Sequence, residues 1–123
     1  MENDNQFKTD LIRRCYALSI RIIKLTDDLP SKRSAWIITD QLIRSATSIG
    51  ANLVEAKSSS SRLEFKKFHE IALKSANETK YWICLLRDIK LLEGHINLNQ
   101  LLEETIEISK MLASGIIKLK KKT

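Results

Sequence analysis

Two side chains, Arg62 and His69, have the types and spacing for phosphate chemistry. They stand seven residues apart in a stretch with helical periodicity, so they share one face of a helix. An imidazole can give or take a proton while a guanidinium steadies a phosphate, which is the division of roles that RNA cleavage needs. Such a pair arises easily by chance among 21 basic residues. We therefore keep a helical-bundle ribonuclease as the alternative function and assign no catalytic residue.

Metal and nucleophile chemistry find little support in the sequence. A metal-binding bundle supplies inward carboxylates and Glu-x-x-His pairs, whose spacing lets both ligands meet one ion, and the chain has no such pair. It also has no glycine-rich phosphate loop and no nucleophile elbow. The two cysteines, Cys15 and Cys84, each lie in an apolar helical segment, which predicts buried, reduced thiols. We expect no metal, no cofactor and no enzymatic activity.

Polar side chains follow one side of the run from 41 to 56. Their series is Gln41, Ser45, Ser48, Asn52 and Glu55, and it runs one position before an apolar series of Ile38, Leu42, Ala46, Ile49, Leu53 and Ala56. Polar groups at the edge of an apolar seam need protein partners. We predict a structural polar cluster in which Arg44 or Asn52 contacts Glu78 or a neighbouring subunit, with ligand recognition as the alternative. Its members are Arg44, Asn52, Glu55 and Glu78.

Basic residues flank the apolar series, and several repeat at spacings of seven. The formal net charge of +6 and the pI of about 9.4 are compatible with a polyanionic partner. Acidic residues interrupt the same faces, as they do on ordinary solvated helices. The candidate nucleic-acid contacts are Arg14, Arg21, Lys66, Lys67, Lys74, Lys80 and Arg87.

The apolar spacing predicts the elements that position these side chains. Apolar residues recur at alternating steps of three and four, a period suited to long helices packed side by side. Pro30 interrupts the first helix because it lacks a backbone donor. Ser61 with Glu64 has the spacing of a capping box that opens the third helix, and Gly94 suits a left-handed cap at the end of that helix. We predict one domain over 1–123, an all-α antiparallel up-down-up-down four-helix bundle with helices at 6–29, 33–57, 62–92 and 97–120.

One apolar series in each helix is predicted to form the core. Besides the series of the second helix given above, these are Leu11, Cys15, Leu18, Ile22, Leu25 and Leu29 in the first, Phe65, Phe68, Ala72, Ser75, Thr79, Trp82, Leu86 and Ile89 in the third, and Leu98, Leu101, Thr105, Ile108, Leu112 and Leu119 in the fourth.

Further apolar residues lie outside these series, more than a monomeric bundle needs to fill its centre. This surplus favours self-association. No apolar run approaches the roughly 20 residues needed to cross a bilayer. The start of the chain is polar and acidic, unlike a secretory signal. We therefore expect a cytoplasmic protein with no membrane partner. The surplus residues are Ile12, Ile23, Ile37, Ile43, Val54, Tyr81, Ile106, Met111 and Ile117.

Two motifs carry a resemblance to a known family, and both span predicted helices. The pattern resembles the 23S rRNA-intervening sequence protein family, also called four helix bundle proteins, over about residues 10 to 120. The motifs are Gln41-Leu42-x-Arg44-Ser45-Ala46-x-Ser48-Ile49-x-x-Asn52-Leu53-x-Glu55-Ala56 and Phe65-x-x-Phe68-x-x-x-Ala72-x-x-Ser75-x-x-Glu78. The family usually has glycine directly after the glutamate-bearing segment, whereas this chain has Ala56 and Lys57, so a longer exit from the second helix is expected.

The resemblance also implies an assembly and partners. It implies a homopentameric ring of four-helix subunits, and a more distant similarity to accessory proteins of diversity-generating retroelements, which bind nucleic acid and a reverse transcriptase. In a pentamer the formal charge is 5 × 6 = +30. We therefore expect a non-catalytic oligomeric scaffold or adaptor that docks RNA, DNA or a nucleic-acid enzyme through basic helix faces.

Overall fold

Four long helices account for most of the chain. The structure, a computed structural model, describes residues 2–90 and 97–121, and the side chains of 10–90 and 98–121. The helices are α1 (Glu2–Thr26), α2 (Arg33–Lys57), α3 (Arg62–Asp88) and α4 (Asn97–Lys121). The predicted helices are confirmed, with ends that differ by at most four residues. The third helix ends at Asp88, before the predicted end at 92, because Lys90 takes a left-handed backbone conformation with a φ of 57°. The predicted cap at Gly94 lies outside the described residues.

The helices pack as a closed ring of neighbours. α2 and α3 share the most extensive interface, followed by α3 with α4 and α1 with α2, while α1 and α4 meet least. Short connections at 27–32 and 58–61 make consecutive helices antiparallel. This arrangement confirms the predicted up-down-up-down four-helix bundle.

A local sequence signal begins α3 as its chemistry predicts. The hydroxyl of Ser61 accepts a hydrogen bond from the backbone N–H of Glu64 at 3.1 Å, which confirms the predicted cap. The carboxylate of Glu64 accepts from the backbone N–H of Ser60 at 3.1 Å instead of from Ser61, so the reciprocal bond of the capping box is displaced by one residue.

The core runs along the centre of all four helices. The predicted residues of α1, α2 and α4 are buried or half-buried. In α3 the predicted series is confirmed in part, since three of its members are fully buried: Ala72, Thr79 and Leu86. Ala76 and Ile83 are buried in place of their predicted neighbours Ser75 and Trp82, which are half-buried, and Ile89 is 42 % exposed. The difference arises because α3 packs against α2 and α4 at once, so its buried face is centred between the two interfaces.

The cysteines differ in their surroundings. Cys15 is fully buried, and burial raises the pKa of its thiol to about 12. A methyl group added at Gly50 would lie 3.2 Å from Cβ of Cys15, so α1 and α2 approach closely at this level. The predicted burial is confirmed for Cys15, whereas Cys84 is half-buried; both thiols are free.

Candidate functional site

A seam of small hydroxyl side chains joins α2 to α3. The hydroxyl of Ser75 donates to that of Ser48 at 2.9 Å, and the hydroxyl oxygens of Thr79 and Ser45 lie 3.0 Å apart. Thr79 also donates to the backbone carbonyl of Ser75 at 2.7 Å. No buried side-chain nitrogen or oxygen among the described residues lacks a hydrogen-bond partner. The polar stripe of the second helix therefore faces a matching stripe on the third, a pairing that the sequence analysis did not make.

The predicted cluster around Glu78 is not formed within the subunit. Asn52 donates to the carbonyl and the hydroxyl of Ser48 in its own helix, at 2.8 and 3.0 Å. Glu78 accepts from the indole N–H of Trp82 at 3.0 Å. Arg44 and Glu55 are exposed. Short hydroxyl side chains bring α2 and α3 together at the seam and leave the longer side chains outside it. A contact with a neighbouring subunit stays a prediction.

Arg14 makes an ion-pair cluster between α1 and α4. Its guanidinium donates to both carboxylate oxygens of Glu104, at 2.9 and 2.7 Å, and to Glu107 at 3.2 Å. The hydrogen bond to Glu104 is the main cause that raises the pKa of Arg14 above its ordinary value. Arg21 lines a shallow depression with the same two glutamates and Glu103. Of the two basic residues that were predicted on the first helix, Arg14 is paired with carboxylates, and Arg21 is exposed beside them.

The five basic candidates on α3 do not form one surface. The ammonium of Lys80 donates to the hydroxyl of Ser109 at 3.3 Å, so this side of α3 faces α4. Lys66 lies fourteen residues earlier, on the same side. Arg87 pairs with Asp88 at 3.0 Å. The remaining two, Lys67 and Lys74, are exposed and seven residues apart, so they share a different side of the helix.

The alternative pair, Arg62 and His69, sits near the start of α3. Nδ1 of His69 donates to the backbone carbonyl of Phe65 at 2.9 Å, and the two rings lie 4.4 Å apart. This bond leaves Nε2 as the ring atom available for proton transfer. Arg62 is exposed, and the described residues show no hydrogen bond between it and His69. The two residues share a face, as predicted, without forming a joined site.

A half-open apolar cleft lies among the four helices, near the end of α2 and the start of α3. Its volume is about 270 Å³. Leu11 of α1, Leu53 of α2, Phe65 of α3 and Leu112 of α4 contribute to its walls. Sequence reasoning missed this cleft because its walls come from four helices that are distant from one another in the sequence.

A row of exposed apolar side chains follows the groove between α1 and α2, and we call it the α1/α2 outer face. It comprises Tyr16, Ile20, Ile23, Trp36 and Val54, whose exposed fractions range from 37 % to 69 %. On α1 these residues lie at steps of four and three, beside Ser19, whose hydroxyl donates to the carbonyl of Ala46. On α2, Trp36 and Val54 lie on the side of the helix next to Gly50, which faces α1. Both sets therefore border one groove.

A second exposed apolar group lies on the outside of α2 and α3, and we call it the α2/α3 outer patch. It comprises Ile37, Tyr81 and Ile89, with exposed fractions of 54 %, 62 % and 42 %. The rings of Tyr81 and Trp82 meet edge to face at 5.0 Å. The patch is separate from the α1/α2 outer face.

Over residues 10–90 and 98–121, no three side chains of the metal-ligating types come together as a potential ion site. None of the four helices, as far as the chain is described, is long and apolar enough to cross a membrane.

Comparison with known proteins places this architecture in a family. Residues 8–114 match the model of the 23S rRNA-intervening sequence protein family. A solved structure from Bacteroides thetaiotaomicron, a protein of unknown function from the S23 ribosomal protein family, is 33 % identical, with a TM-score of 0.80 over 89 % of this chain and 96 % of that one. No curated protein matches the sequence. The chain belongs to the 23S rRNA-intervening sequence protein family.

Proposed function

We propose that the protein is a non-catalytic, self-assembling helical scaffold or adaptor of the cytoplasm, and that its copies form a ring of five. The α1/α2 outer face carries this proposal, because large contiguous apolar surfaces on soluble proteins mark interaction sites. The family resemblance supplies the number five. Two free thiols suit a reducing compartment.

A closed ring needs two different surfaces on each subunit, since a head-to-tail contact joins unlike patches. The α1/α2 outer face and the α2/α3 outer patch meet this requirement. Full burial of one large apolar side chain contributes about 1.5–3 kcal/mol. Five partly exposed side chains therefore offer several kcal/mol per contact, comparable with the lower end of the association cost of about 4–15 kcal/mol.

Nucleic-acid binding is the second part of the proposal. Lys67 and Lys74 support it, because they are exposed and make no ion pair among the described residues. A ring of five would carry a formal charge of 5 × 6 = +30. Repetition of this lysine pair around a ring would attract RNA or DNA phosphates without reading sequence.

A measurement of mass in solution tests the assembly. We expect light scattering after size-exclusion chromatography to give five times the chain mass of 14.1 kDa for the native protein. Trp36→Glu should reduce the mass to that of smaller species, because it places a charge in the α1/α2 outer face. Leu63→Glu is the matched control, since Leu63 is 75 % exposed and lies outside both surfaces. A native chain that runs as a monomer would contradict the proposal.

An RNA degradation assay separates the scaffold from the alternative ribonuclease. We expect the native chain and His69→Ala to leave labelled RNA equally intact. Cleavage that the native chain supports and His69→Ala loses would establish the ribonuclease instead.

A further inference from the structure

The apolar cleft is lined by apolar side chains together with a few basic ones. Its walls include Leu11, Ile12, Leu53, Phe65, Met111 and Leu112. Among the side chains that the structure describes, three ionisable ones also line it, Lys57, His69 and Lys118, and no carboxylate does. Both lysines are exposed. An apolar interior with a positively charged rim is complementary to a molecule with an apolar body and an anionic head.

The cleft has open space beside Gly115, which lines it. A Cβ added at Gly115 would meet no atom of the described residues within 4 Å. Small apolar cavities bind apolar molecules: benzene, with six carbons, occupies an engineered cavity of about 150 Å³. By the same ratio, a cleft of about 270 Å³ holds a chain of about ten carbons.

We propose that this cleft binds a medium-chain fatty acid, with the alkyl chain inside and the carboxylate at Lys57 and Lys118. Burial of the chain supplies most of the affinity, because each buried methylene strengthens binding about fourfold. The two lysines set the direction of the ligand and its preference for a negative head group. The site uses neither apolar outer surface and is independent of the proposed assembly.

Calorimetric titration of the native protein with sodium decanoate tests the proposal. We expect one decanoate per chain, and octanoate, two methylenes shorter, should bind about fifteenfold more weakly. Decylammonium has the same chain and the opposite charge, so it should bind at least tenfold more weakly than decanoate.

Variants locate the site without relying on disruption of the fold. Gly115→Leu should abolish decanoate binding because its side chain enters the empty space, and it should fold because leucine favours the helix. Gly115→Ala makes the same backbone change with less volume and should retain binding. Lys57→Gln should weaken decanoate binding severalfold and leave decanol unaffected, whereas Lys110→Gln, an exposed change away from the cleft, should alter neither.

Three results would overturn the proposal. The first is the absence of decanoate binding to the native protein. The second is equal binding by Gly115→Leu, which would place the ligand elsewhere, for example on an outer apolar surface. The third is equal affinity for decanoate and decylammonium, which would show that the basic rim does not recognise the head group.

Discussion

At the scale of single residues, pairing decides what each polar side chain contributes. Ser48 and Thr79 lie inside a seam in which every described hydroxyl has a partner. Arg14 has the charge for a phosphate contact, yet Glu104 and Glu107 already balance it. Lys67, also basic, is exposed without such a pair. The same residue type therefore serves structure at one position and is available for binding at another.

The hydroxyl seam leads to a prediction about stability. Thr79→Val keeps the side-chain shape and removes the bonds to Ser75 and Ser45, so unfolding in urea should require about 1–2 kcal/mol less. Ser45→Ala should also destabilise the protein. The double variant should lose less than the sum, by about 0.5–1.5 kcal/mol, because both single variants remove the same contact between Thr79 and Ser45. Circular dichroism at one protein concentration measures all three, and strictly additive losses would contradict the pairing.

At the scale of helices, the two ends of α3 differ in how well the local sequence suits the backbone there. α3 begins with the side chain of Ser61 accepting from Glu64, so a local motif covers a backbone donor there. Its other end has no glycine in the left-handed conformation. Lys90 has a φ of 57°, a region that residues with a Cβ adopt at a cost. The exit from α3 therefore retains backbone strain that a glycine would relieve.

The strain at Lys90 can be measured by substitution. Lys90→Gly should raise the free energy of unfolding by about 0.5–1 kcal/mol, because glycine accepts the left-handed conformation without a steric penalty. Lys90→Ala removes the same charge and long side chain but keeps the Cβ. Thermal unfolding should therefore show a gain for Lys90→Gly alone, and an equal gain for both variants would mean that the charge, not the backbone, is responsible.

At the scale of the whole molecule, apolar side chains form the core, and most of the large ones left exposed form two outer surfaces. The core accounts for the apolar series that point inward. The α1/α2 outer face and the α2/α3 outer patch remain exposed, and the proposed ring would use them as its two unlike surfaces. Basic residues are spread over different sides of the bundle, so only repetition around an assembly would concentrate them.

Nucleic-acid binding belongs to this scale. Lys67→Gln with Lys74→Gln should weaken binding to labelled duplex DNA and single-stranded RNA, and each lost phosphate contact should lower the salt-dependence slope for the duplex by about 0.9. Lys24→Gln with Lys110→Gln removes the same net charge from exposed positions on α1 and α4 and should have a smaller effect. Fluorescence anisotropy at several salt concentrations measures both. Absence of any complex at low salt would contradict the proposal.

The sequence alone determined the four helices, their approximate ends, most core residues and the family. These follow from local spacing, because residues three and four apart share a helix face whatever the helix packs against. The tertiary structure decided which side chains of different helices contact each other. Whether Trp82 or Ile83 enters the core depends on the rotation of α3 about its axis between its two neighbouring helices. Whether Ser48 contacts Ser75 or Glu78 depends on the axial register of α2 against α3. The pairing of Arg14 with Glu104 and the cleft beside Gly115 likewise exist only once distant helix segments are brought together.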